Sequence, residues 1–411
     1  MSKYLVMNAG SSSLKFEVYD MPEEKILIKG SIEKLGEVDC YYSIKVNGKK
    51  IEKNKFLKNH DEAVELLLNE LFANNIVKSL DEISGVGHRV LHGGEKYSEA
   101  VVIDENVIKD IEDLTKLGPL HHPGNLAGIK AMMKALPNVI NVAVFDTSFH
   151  QTMPEENYMY SVPYDWYTKY GVRKYGFHGT SHNYITNLMK EKLNKDDPNL
   201  IVCHIGNGAS ITCIKNGKSF DTTMGLTPLD GLMMGTRSGS IDPSIIEYVC
   251  KESGMNVSEI TKMLNKNSGF LGICGKSDCR DVEKLYREGN HNAKLALNMY
   301  TDRVAKYIAQ YYLELDGKVD AIVFTAGLGE NGPLFRHLVM KKLKALNIKE
   351  NPEMNNKIAR FLSETEGKIS SDDSKINVYV YPTDEEIMIC RDTYRLNSLA
   401  KENNYSRKLT K

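Results

Sequence analysis

The chain has 411 residues, a length that predicts roughly two or three domains. Hydrophobic residues make up 41% and charged residues 26%, so the chain can bury a large core and wholesale disorder is excluded. Lysine and arginine total 53 against 54 aspartate and glutamate residues, and this net charge of −1 lacks the basic surplus of most nucleic-acid-binding proteins.

Membrane association and secretion are not expected either. No apolar run approaches the roughly 18 residues that a membrane-spanning helix needs. The segment from Met1 to Asn8 lacks the apolar length and the cleavage site of a signal peptide. The seven cysteines are odd in number and form no Cys-x-x-Cys pair, which is typical of reduced thiols. These features predict a cytoplasmic protein that acts on small molecules.

Apolar strands alternate with amphipathic helices along the chain, which is the pattern of an α/β protein. The predicted strands, in chain order, are Tyr4–Met7, Ile83–Val90, Val142–Phe145, Leu200–His204, Ala321–Thr325 and Val378–Tyr381. The predicted helices are Asp61–Asn74, Asn125–Ala135, Ile241–Lys251, Ala293–Leu315 and Pro333–Ala345. The segment Phe149–Tyr167 is rich in proline, tyrosine and polar residues, so it is expected to be irregular and to contain a domain boundary.

Two segments roughly 200 residues apart share one plan. Tyr4–Tyr19 and Leu200–Ile214 each contain an apolar strand, a tight turn of small residues and a second strand that ends near an acid, Asp20 or Asp221. Glycine, asparagine and serine allow positive φ angles in such turns and expose N–H and hydroxyl donors that can bind an anion. The similarity favours a duplicated fold with two phosphate-binding turns, and two unrelated hairpins remain the alternative.

A third glycine-rich segment, Thr325–Gly332, follows a predicted strand and precedes a predicted helix. Gly327, Gly329 and Gly332 match the dinucleotide-binding fingerprint, so a nicotinamide-dependent dehydrogenase must be considered. Two facts count against it. No acidic residue ends a strand about 20 positions later, and the turn lies late in the chain. What remains is a general phosphate or nucleotide site at a helix N-terminus.

Several single residues lie where α/β proteins often place a site. Arg89 comes at a predicted strand end before two glycines, and Arg237 lies in a glycine-rich loop. Either arginine can clamp a carboxylate or phosphate through two hydrogen bonds, or can form a structural ion pair. Asp146 follows an apolar strand and can equally be a turn residue.

Three further motifs have ordinary structural interpretations. His178 and His182 have the spacing of a zinc-binding pair, but Gly179–Ser181 is predicted to begin a helix, so His178 lies outside it and a metal site is not expected. His182 is then expected on the helix surface. Thr383 and Glu386 match a capping box, so Glu385 needs no functional explanation on this evidence alone.

Taken together, these segments resemble the acetate kinase (acetokinase) family, which belongs to the acetate and sugar kinase/Hsp70/actin superfamily. Nine short motifs occur in family order from near the first residues to about residue 395, and nine in register are far more specific than one. They are Asn8–Lys15, Gly87–Gly94, Pro119–Pro123, Val144–His150, Tyr175–His182, His204–Gly208, Met234–Gly239, Phe324–Asn331 and Thr383–Glu386.

The resemblance implies a role for each matching position. Asn8 and Glu385 correspond to the Mg²⁺ site, for which Mn²⁺ is a possible substitute. Asp146, His178, Arg89 and Arg237 correspond to the catalytic residues, and the two arginines hold the acyl carboxylate and the transferring phosphoryl group. The pocket for the acetate methyl group corresponds to Leu91, Leu120, Phe177 and Pro228. The ATP contacts correspond to Lys15, His204, Ile205, Gly206, Asn207, Gly208, Asp278, Cys279, Arg280, Gly327, Leu328, Gly329, Glu330 and Asn331.

The implied reaction is reversible, in-line transfer of a phosphoryl group from ATP to acetate, giving acetyl phosphate and ADP. Acetate is already ionised at neutral pH, so no general base is needed to activate it. Catalysis must instead position two anions and neutralise their charge. We therefore expect Asp146 to orient an arginine or a metal-bound water rather than to remove a proton. No covalent phosphoenzyme is expected.

Four departures from the family pattern bear on specificity. Leu91 stands where the family often has valine, and its extra methylene should favour acetate over propionate. The other departures are Leu328, Cys279 and Asp384. A propionate or butyrate kinase of the same family is the first alternative, and a non-catalytic ATP-binding switch of the actin or Hsp70 kind is the second. Such a switch has no use for a carboxylate clamp.

The resemblance also implies the architecture. It predicts an α/β fold of two lobes, each a ribonuclease-H-like, actin-like ATPase domain, with the active-site cleft between them. Residues 1–149 with 384–411 form the predicted first lobe, which carries the acyl substrate and Mg²⁺. Residues 150–383 form the second, which binds the nucleotide and forms a homodimer.

Overall fold

The computed structural model describes residues 2–409, with side chains through residue 402. Within that part the chain forms fourteen strands and fifteen α-helices. The strands are β1 (Ser2–Ala9), β2 (Ser13–Met21), β3 (Lys25–Glu33), β4 (Tyr41–Val46), β5 (Lys49–Asn54), β6 (Ile83–Val90), β7 (Val101–Val102), β8 (Ile140–Phe145), β9 (Leu200–Ile205), β10 (Ala209–Lys215), β11 (Lys218–Thr222), β12 (Ala321–Thr325), β13 (Gly367–Lys368) and β14 (Asn377–Val380). The helices are α1 (His60–Ala73), α2 (Glu105–Asp113), α3 (His122–Ala135), α4 (Glu155–Tyr158), α5 (Tyr164–Tyr170), α6 (Gly179–Leu193), α7 (Ser244–Ser253), α8 (Val257–Lys266), α9 (Gly269–Cys274), α10 (Cys279–Arg287), α11 (His291–Glu314), α12 (Ala326–Asn331), α13 (Pro333–Leu343), α14 (Pro352–Lys357) and α15 (Glu385–Leu409).

Contacts along the chain divide it into two compact units. The first takes in the residues up to Ser148 together with those from Asp384 onward, so it is built from both ends of the chain. The second is the continuous segment Phe149–Thr383.

The first unit is an eight-stranded sheet with helices on both faces. Its strand order is β5-β4-β3-β2-β1-β6-β8-β7, in which β1 pairs antiparallel with β2 and parallel with β6. Alternate residues of a strand point to opposite faces. Leu5 and Met7 accordingly lie in the core that α1 and α3 cover, and the hydroxyl of Tyr4 accepts a hydrogen bond from Asn397 of α15 at 2.7 Å.

Helix α15 lies so close to β6 that only glycine fits beneath it. A Cβ on Gly87 would lie 2.4 Å from Oγ1 of Thr393 and 2.6 Å from Cγ2 of Ile389, both on α15. These distances are well inside van der Waals contact, so any side chain at Gly87 would push the helix away from the sheet. Since α15 begins at Glu385, its seating on β6 also places that residue.

The second unit repeats the central arrangement of the first. Its strand order is β11-β10-β9-β12-β14-β13, with β9 antiparallel to β10 and parallel to β12. In both sheets antiparallel strands lie on one side of the first strand, four beside β1 and two beside β9. On the other side, two parallel strands and then one antiparallel strand extend each sheet. The duplicated α/β organisation predicted from the two hairpins is therefore confirmed.

Strand and helix predictions were accurate where a segment is apolar on the faces it buries. The bounds of β6 and β12 coincide with the prediction, and α11 and α13 differ from it by at most two residues at each end. Strands β3–β5 had no prediction, because they are rich in charged and polar residues. The segment expected to be irregular contains two short helices, α4 and α5.

Two local predictions were wrong. Thr325–Gly332 was expected to be a turn, but Ala326–Asn331 forms the helix α12. Thr383 was expected to cap the last helix, but the helix begins at Glu385, and the amide of Ile387 donates to Oδ1 of Asp384 at 2.9 Å. Asp384 is therefore the capping residue.

None of the helices within residues 2–409 has the length and hydrophobicity that crossing a bilayer requires.

A buried histidine on β6 makes stability depend on pH. Burial lowers the pKa of His88 to about 4, against the opposing effect of its hydrogen bond with Asn141 Oδ1 at 2.8 Å. The unfolded chain, with a histidine pKa near 6.5, binds a proton that the folded state excludes. The free energy of unfolding should therefore fall as the pH drops from about 6.5 to about 4, by about 3 kcal/mol from this group alone.

Chemical denaturation across that pH range measures the effect. His88→Gln should flatten the pH dependence relative to the parent protein, because glutamine keeps a hydrogen-bonding group for Asn141 and carries no titrating ring. The same substitution at exposed His291 is the matched control. A pH slope unchanged by His88→Gln would show that the pKa of His88 is the same in the folded and unfolded states.

Candidate functional site

In the first unit, the site is organised around an arginine held by a carboxylate. Arg89 is next to last in β6 and Asp146 directly follows β8, its parallel neighbour. Nε and Nη2 of Arg89 donate to the two carboxylate oxygens of Asp146 at 3.0 and 2.6 Å. Asp146 is 1% exposed, so both of its oxygens are engaged away from solvent. A two-point pair of this kind fixes the plane of the guanidinium group.

A second carboxyl lies near the same arginine. Oε2 of Glu385 is 3.9 Å from Nε of Arg89. Burial raises the pKa of Glu385 to about 7, and the charges of Asp146 and Glu386 add to this rise, whereas Arg89 opposes it. The charged form of such a carboxyl is poorly stabilised by its surroundings, so a cation that binds beside it is favoured.

Asn8, Lys15, Arg89 and Glu385 line one cavity of about 280 Å³ in this unit. Asn8 and Lys15 lie opposite each other across the β1–β2 hairpin, as the hairpin turn requires. Among the described residues, no group of three or more histidine, cysteine or acidic side chains could enclose a metal ion. An amide oxygen and one carboxylate are nevertheless the kind of sparse oxygen donor set with which Mg²⁺ is held when phosphates and water complete its shell.

Asn125 of α3 is a residue that sequence reasoning missed. Its side chain donates to the carbonyl of Ala9 at 2.6 Å and accepts from the amide of Leu91 at 3.2 Å. It thereby joins the end of β1 to the segment that follows β6. Leu91 is buried at 7% exposure, whereas Leu120, the other residue expected in the methyl pocket from this unit, is 58% exposed.

In the second unit, four histidines and four hydroxyls form a connected cluster. Nδ1 of His178 lies 2.9 Å from Oγ of Ser210, and Nε2 of His182 lies 2.8 Å from the same oxygen. The rings of His178 and His204 stack at 4.1 Å. The remaining contacts join His204 to Ser181, Ser181 to Thr383, and His150 to Ser219.

The placement of the two histidines of the His178–His182 motif differs. His178 precedes α6 as predicted and has a left-handed backbone, with a φ of 57°. A non-glycine residue in that conformation is strained and is held by its surroundings. His182 was expected on the helix surface, but it is fully buried at 0% exposure, so that prediction was wrong. Its hydrogen bond with the buried hydroxyl of Ser210 explains how a polar side chain can lie on the buried face of α6.

Arg237 and His178 approach the same point beside a glycine. A Cβ on Gly208 would lie 3.4 Å from Nε2 of His178 and 3.5 Å from Nη1 of Arg237. The glycine therefore leaves open the space that these two nitrogens face. Burial lowers the pKa of Arg237, and its Nη1 also donates to the carbonyl of Pro228 at 3.2 Å. Phe177, which precedes His178, is buried at 1% exposure.

A larger cavity of about 530 Å³ lies in the second unit and is lined by five stretches of the chain that are far apart in sequence. This volume suits a nucleotide-sized ligand. Of the residues expected to contact ATP, eight line this cavity: Gly206, Asn207, Asp278, Cys279, Arg280, Gly327, Leu328 and Asn331.

The other expected ATP contacts lie elsewhere. Lys15 belongs to the first unit and His204 to the histidine cluster, while Ile205 is fully buried in β9. Oε1 of Glu330 accepts from the amides of Ala326 and Thr383 at 2.8 and 3.2 Å, which ties α12 to the chain after β14. Glu330 therefore stabilises the contact between α12 and the chain segment that follows β14.

Arg360 and Phe361 line the same cavity, and sequence reasoning missed both. Phe361 is 89% exposed, and an aromatic residue so exposed beside a cavity is available to a ligand. Their segment is anchored by Arg336, which is fully buried. Arg336 donates to the carbonyls of Gly329, Glu330, Asn355 and Ile358 at distances from 2.7 to 3.0 Å. These bonds join the glycine-rich helix α12 to the segment before Arg360.

Chemically, the first unit offers a rigid arginine and oxygen donors for a cation. The second offers two convergent nitrogens and a nucleotide-sized cavity. Acidic and basic groups of this kind suit the handling of phosphate and carboxylate anions.

Comparison with known proteins gives a consistent picture. Residues 3–391 match the model of the acetokinase family. The acetate kinase of Bacillus cytotoxicus is 50% identical over 402 residues, covering 97% of this chain and 100% of that protein. The acetate kinase of Bacillus subtilis is 49% identical over 399 residues, covering 96% and 100%.

Solved structures agree with the sequence comparisons. A propionate kinase from Francisella tularensis superposes with a TM-score of 0.91 at 42% identity, covering 96% of this chain and 100% of that one. The acetate kinase of Porphyromonas gingivalis superposes with a TM-score of 0.90 at 43% identity, covering 96% and 99%. With a family model matched over nearly its whole length and relatives at half identity, this chain belongs to the acetokinase family.

Proposed function

We propose that this protein is an acetate kinase, which transfers the terminal phosphoryl group of ATP to acetate and forms acetyl phosphate and ADP, reversibly. The observation that carries the proposal is the approach of His178 Nε2 and Arg237 Nη1 to one open point at Gly208. Gly206 and Asn207, from the same turn, line the nucleotide-sized cavity. Two donors beside such a cavity suit an oxygen-rich group in transfer.

The arginine of the first unit supplies the acceptor side of the reaction. Asp146 uses both oxygens to hold Arg89, so it is a poor candidate for removing a proton. Acetate needs no such base, because its carboxyl group is ionised at neutral pH. Arg89 then offers its remaining donors to the acetate carboxylate. The barrier is the repulsion between two anions, which Arg89, Arg237 and His178 reduce by charge and by hydrogen bonding.

We assign the Mg²⁺ site to Asn8 and Glu385. A bound Mg²⁺ neutralises phosphate charge and fixes the orientation of the phosphate oxygens. Both residues line one cavity, and burial leaves Glu385 short of neighbouring positive charge. Lys15 lines the same cavity and adds a positive charge for the phosphates. Direct attack of acetate on the phosphoryl group requires no phosphorylated side chain.

Oligomeric state and compartment belong to the proposal as well. We place the homodimer contact in the second unit, where Ile245, Tyr248, Val257 and Met263 expose large apolar side chains on α7 and α8. Exposed apolar side chains on neighbouring helices suit a partner surface. A reducing compartment such as the cytoplasm suits the chain, because all seven cysteines carry free thiols.

A coupled assay with ATP, Mg²⁺ and a panel of carboxylates tests the substrate. We expect acetate-dependent formation of ADP and acetyl phosphate, with kcat/KM higher for acetate than for propionate and butyrate. Leu91→Val should raise the propionate-to-acetate ratio of kcat/KM by about 5-fold or more, because one methylene in a pocket contributes about 1–3 kcal/mol. Leu399→Val, at an exposed leucine of the same unit, is the matched control.

The panel also separates the alternatives. A preference for propionate in the parent protein would make it a propionate kinase of the same family. ATP binding without acetyl phosphate would indicate a nucleotide-dependent switch, and nicotinamide binding without ADP formation would indicate a dehydrogenase.

Asp146→Asn tests the orienting role of that carboxylate. The amide places an NH₂ group against an arginine N–H and removes the ion pair, so kcat should fall by about 10- to 100-fold, the equivalent of losing one charged hydrogen-bond pair. Steady-state kinetics measure the change. Asp110→Asn, at an acid of the same unit that pairs with Lys96, should retain the parent kcat. A near-normal kcat for Asp146→Asn would rule the orienting role out.

Glu385→Gln tests the metal site. The neutral amide cannot offset the charge of a divalent cation, so the Mg²⁺ concentration for half-maximal rate should rise by about 10-fold or more, and excess Mg²⁺ should restore part of the rate. Chelation of Mg²⁺ should abolish activity in the parent protein. Glu112→Gln, at an exposed glutamate of α2, is the comparison variant. An unchanged Mg²⁺ requirement in Glu385→Gln would place the metal elsewhere.

A further inference from the structure

Ser210 connects two histidines of the second unit through a single oxygen. Its Oγ lies 2.9 Å from Nδ1 of His178 and 2.8 Å from Nε2 of His182. Ser210 is the second residue of β10 and is fully buried, while the two histidines flank the start of α6. The hydroxyl is thus held between the rings by a strand and a helix.

A serine hydroxyl carries one proton, so it can donate to only one of these nitrogens and must accept from the other. In one arrangement His182 donates from Nε2 and Ser210 donates to Nδ1 of His178. In the reverse arrangement His178 donates from Nδ1, and Ser210 donates to Nε2 of His182. The two arrangements differ in the tautomer of both rings.

The surroundings of His182 decide between them. Its ring is fully buried, and within the described residues its Nδ1 has no hydrogen-bond partner. The reverse arrangement would put the ring proton on that nitrogen and leave a buried N–H without an acceptor, which proteins avoid more strongly than an unused acceptor. Burial, with His150 and His204 nearby, also lowers the pKa of His182 well below its usual value, so its ring is neutral and carries one proton. That proton belongs on Nε2.

We propose that Ser210 is a positioning residue that donates its proton to Nδ1 of His178 and so holds the ring proton of His178 on Nε2. Nε2 is the atom that faces the open point at Gly208, 3.4 Å from a Cβ built there, and Arg237 Nη1 faces the same point. The hydrogen bond from Ser210 therefore leaves Nε2–H of His178 as a donor beside the guanidinium group of Arg237. It rests on the proposed function only in naming the acceptor, an oxygen of the transferring phosphoryl group.

A second hydroxyl in the same cluster provides a matched comparison. Oγ of Ser181 lies 2.7 Å from Nδ1 of His204, whose ring stacks on that of His178. Ser181→Ala removes a serine Oγ from beside a histidine Nδ1, as Ser210→Ala does, but the affected ring is that of His204 rather than His178. It should perturb His204 and leave the tautomer of His178 unchanged.

Long-range ¹H–¹⁵N correlation spectra of the full chain, labelled with ¹⁵N-histidine, measure the tautomer directly. His178→Gln assigns the signals. In the parent protein without substrates, His178 should show a protonated Nε2 and an unprotonated Nδ1. Ser210→Ala should move both signals toward exchange between tautomers, and Ser210→Thr, which keeps the hydroxyl, should restore them. A protonated Nδ1 in the parent protein overturns the proposal.

Kinetics supply the second readout. Ser210→Ala should lower kcat by about 10-fold or more while both KM values stay within about 2-fold, because the donor matters most in the transition state. Ser210→Thr should recover most of the rate. A kcat within about 2-fold of the parent value in folded Ser210→Ala would overturn the positioning role, since a donor lost from the transition state must lower the rate.

The two proposals fail in distinguishable ways. The spectrum of the parent protein needs no substrate, so it decides the tautomer even if Ser210→Ala does not fold. A parent protein with the expected tautomer but no acetate-dependent ADP formation would leave the hydrogen bond from Ser210 in place and remove the proposed function.

Discussion

The two hydrogen bonds between Arg89 and Asp146 are the interaction on which the candidate site of the first unit depends. A chain with a net charge of −1 has no general attraction for anions, so positive charge has to be concentrated at the site and held in a fixed direction. An arginine left to rotate would be a weak clamp, and pairing it with a buried carboxylate gives its remaining donors one direction. Because Asp146 uses both of its carboxylate oxygens in this pair, it holds the guanidinium group in one orientation.

Duplication explains why the other groups lie where they do. In each unit the hairpin turn follows the first strand, and the parallel strands end at the same edge of the sheet. Asn8 and Lys15 flank this position in one sheet, and His204 and Ser210 flank it in the other. Two copies of one backbone arrangement thus carry different side chains, an amide and an ammonium group in the first and an imidazole and a hydroxyl in the second.

Much of the fold and part of the site followed from sequence because their signals are local. Apolar strands such as β12 and the two hairpin turns have patterns that a single segment carries. What escaped prediction depends on partners distant in the chain. Asn125 bonds to Ala9, 116 residues away, and Arg336 bonds to Ile358, 22 residues away. His182 has the pattern of a surface residue until Ser210 and the neighbouring rings are placed around it.

The division of the chain has a consequence for how the protein is made. The second unit is continuous, so all its strands have been synthesised before the last helix leaves the ribosome. All strands of the first unit have been synthesised by Ser148, but the face of β6 at Gly87 is not covered until α15 has been synthesised. Glu385 is the first residue of that helix. The first unit is therefore begun first and finished last, and a chain truncated before α15 would keep the 530 Å³ cavity of the second unit but lack Glu385.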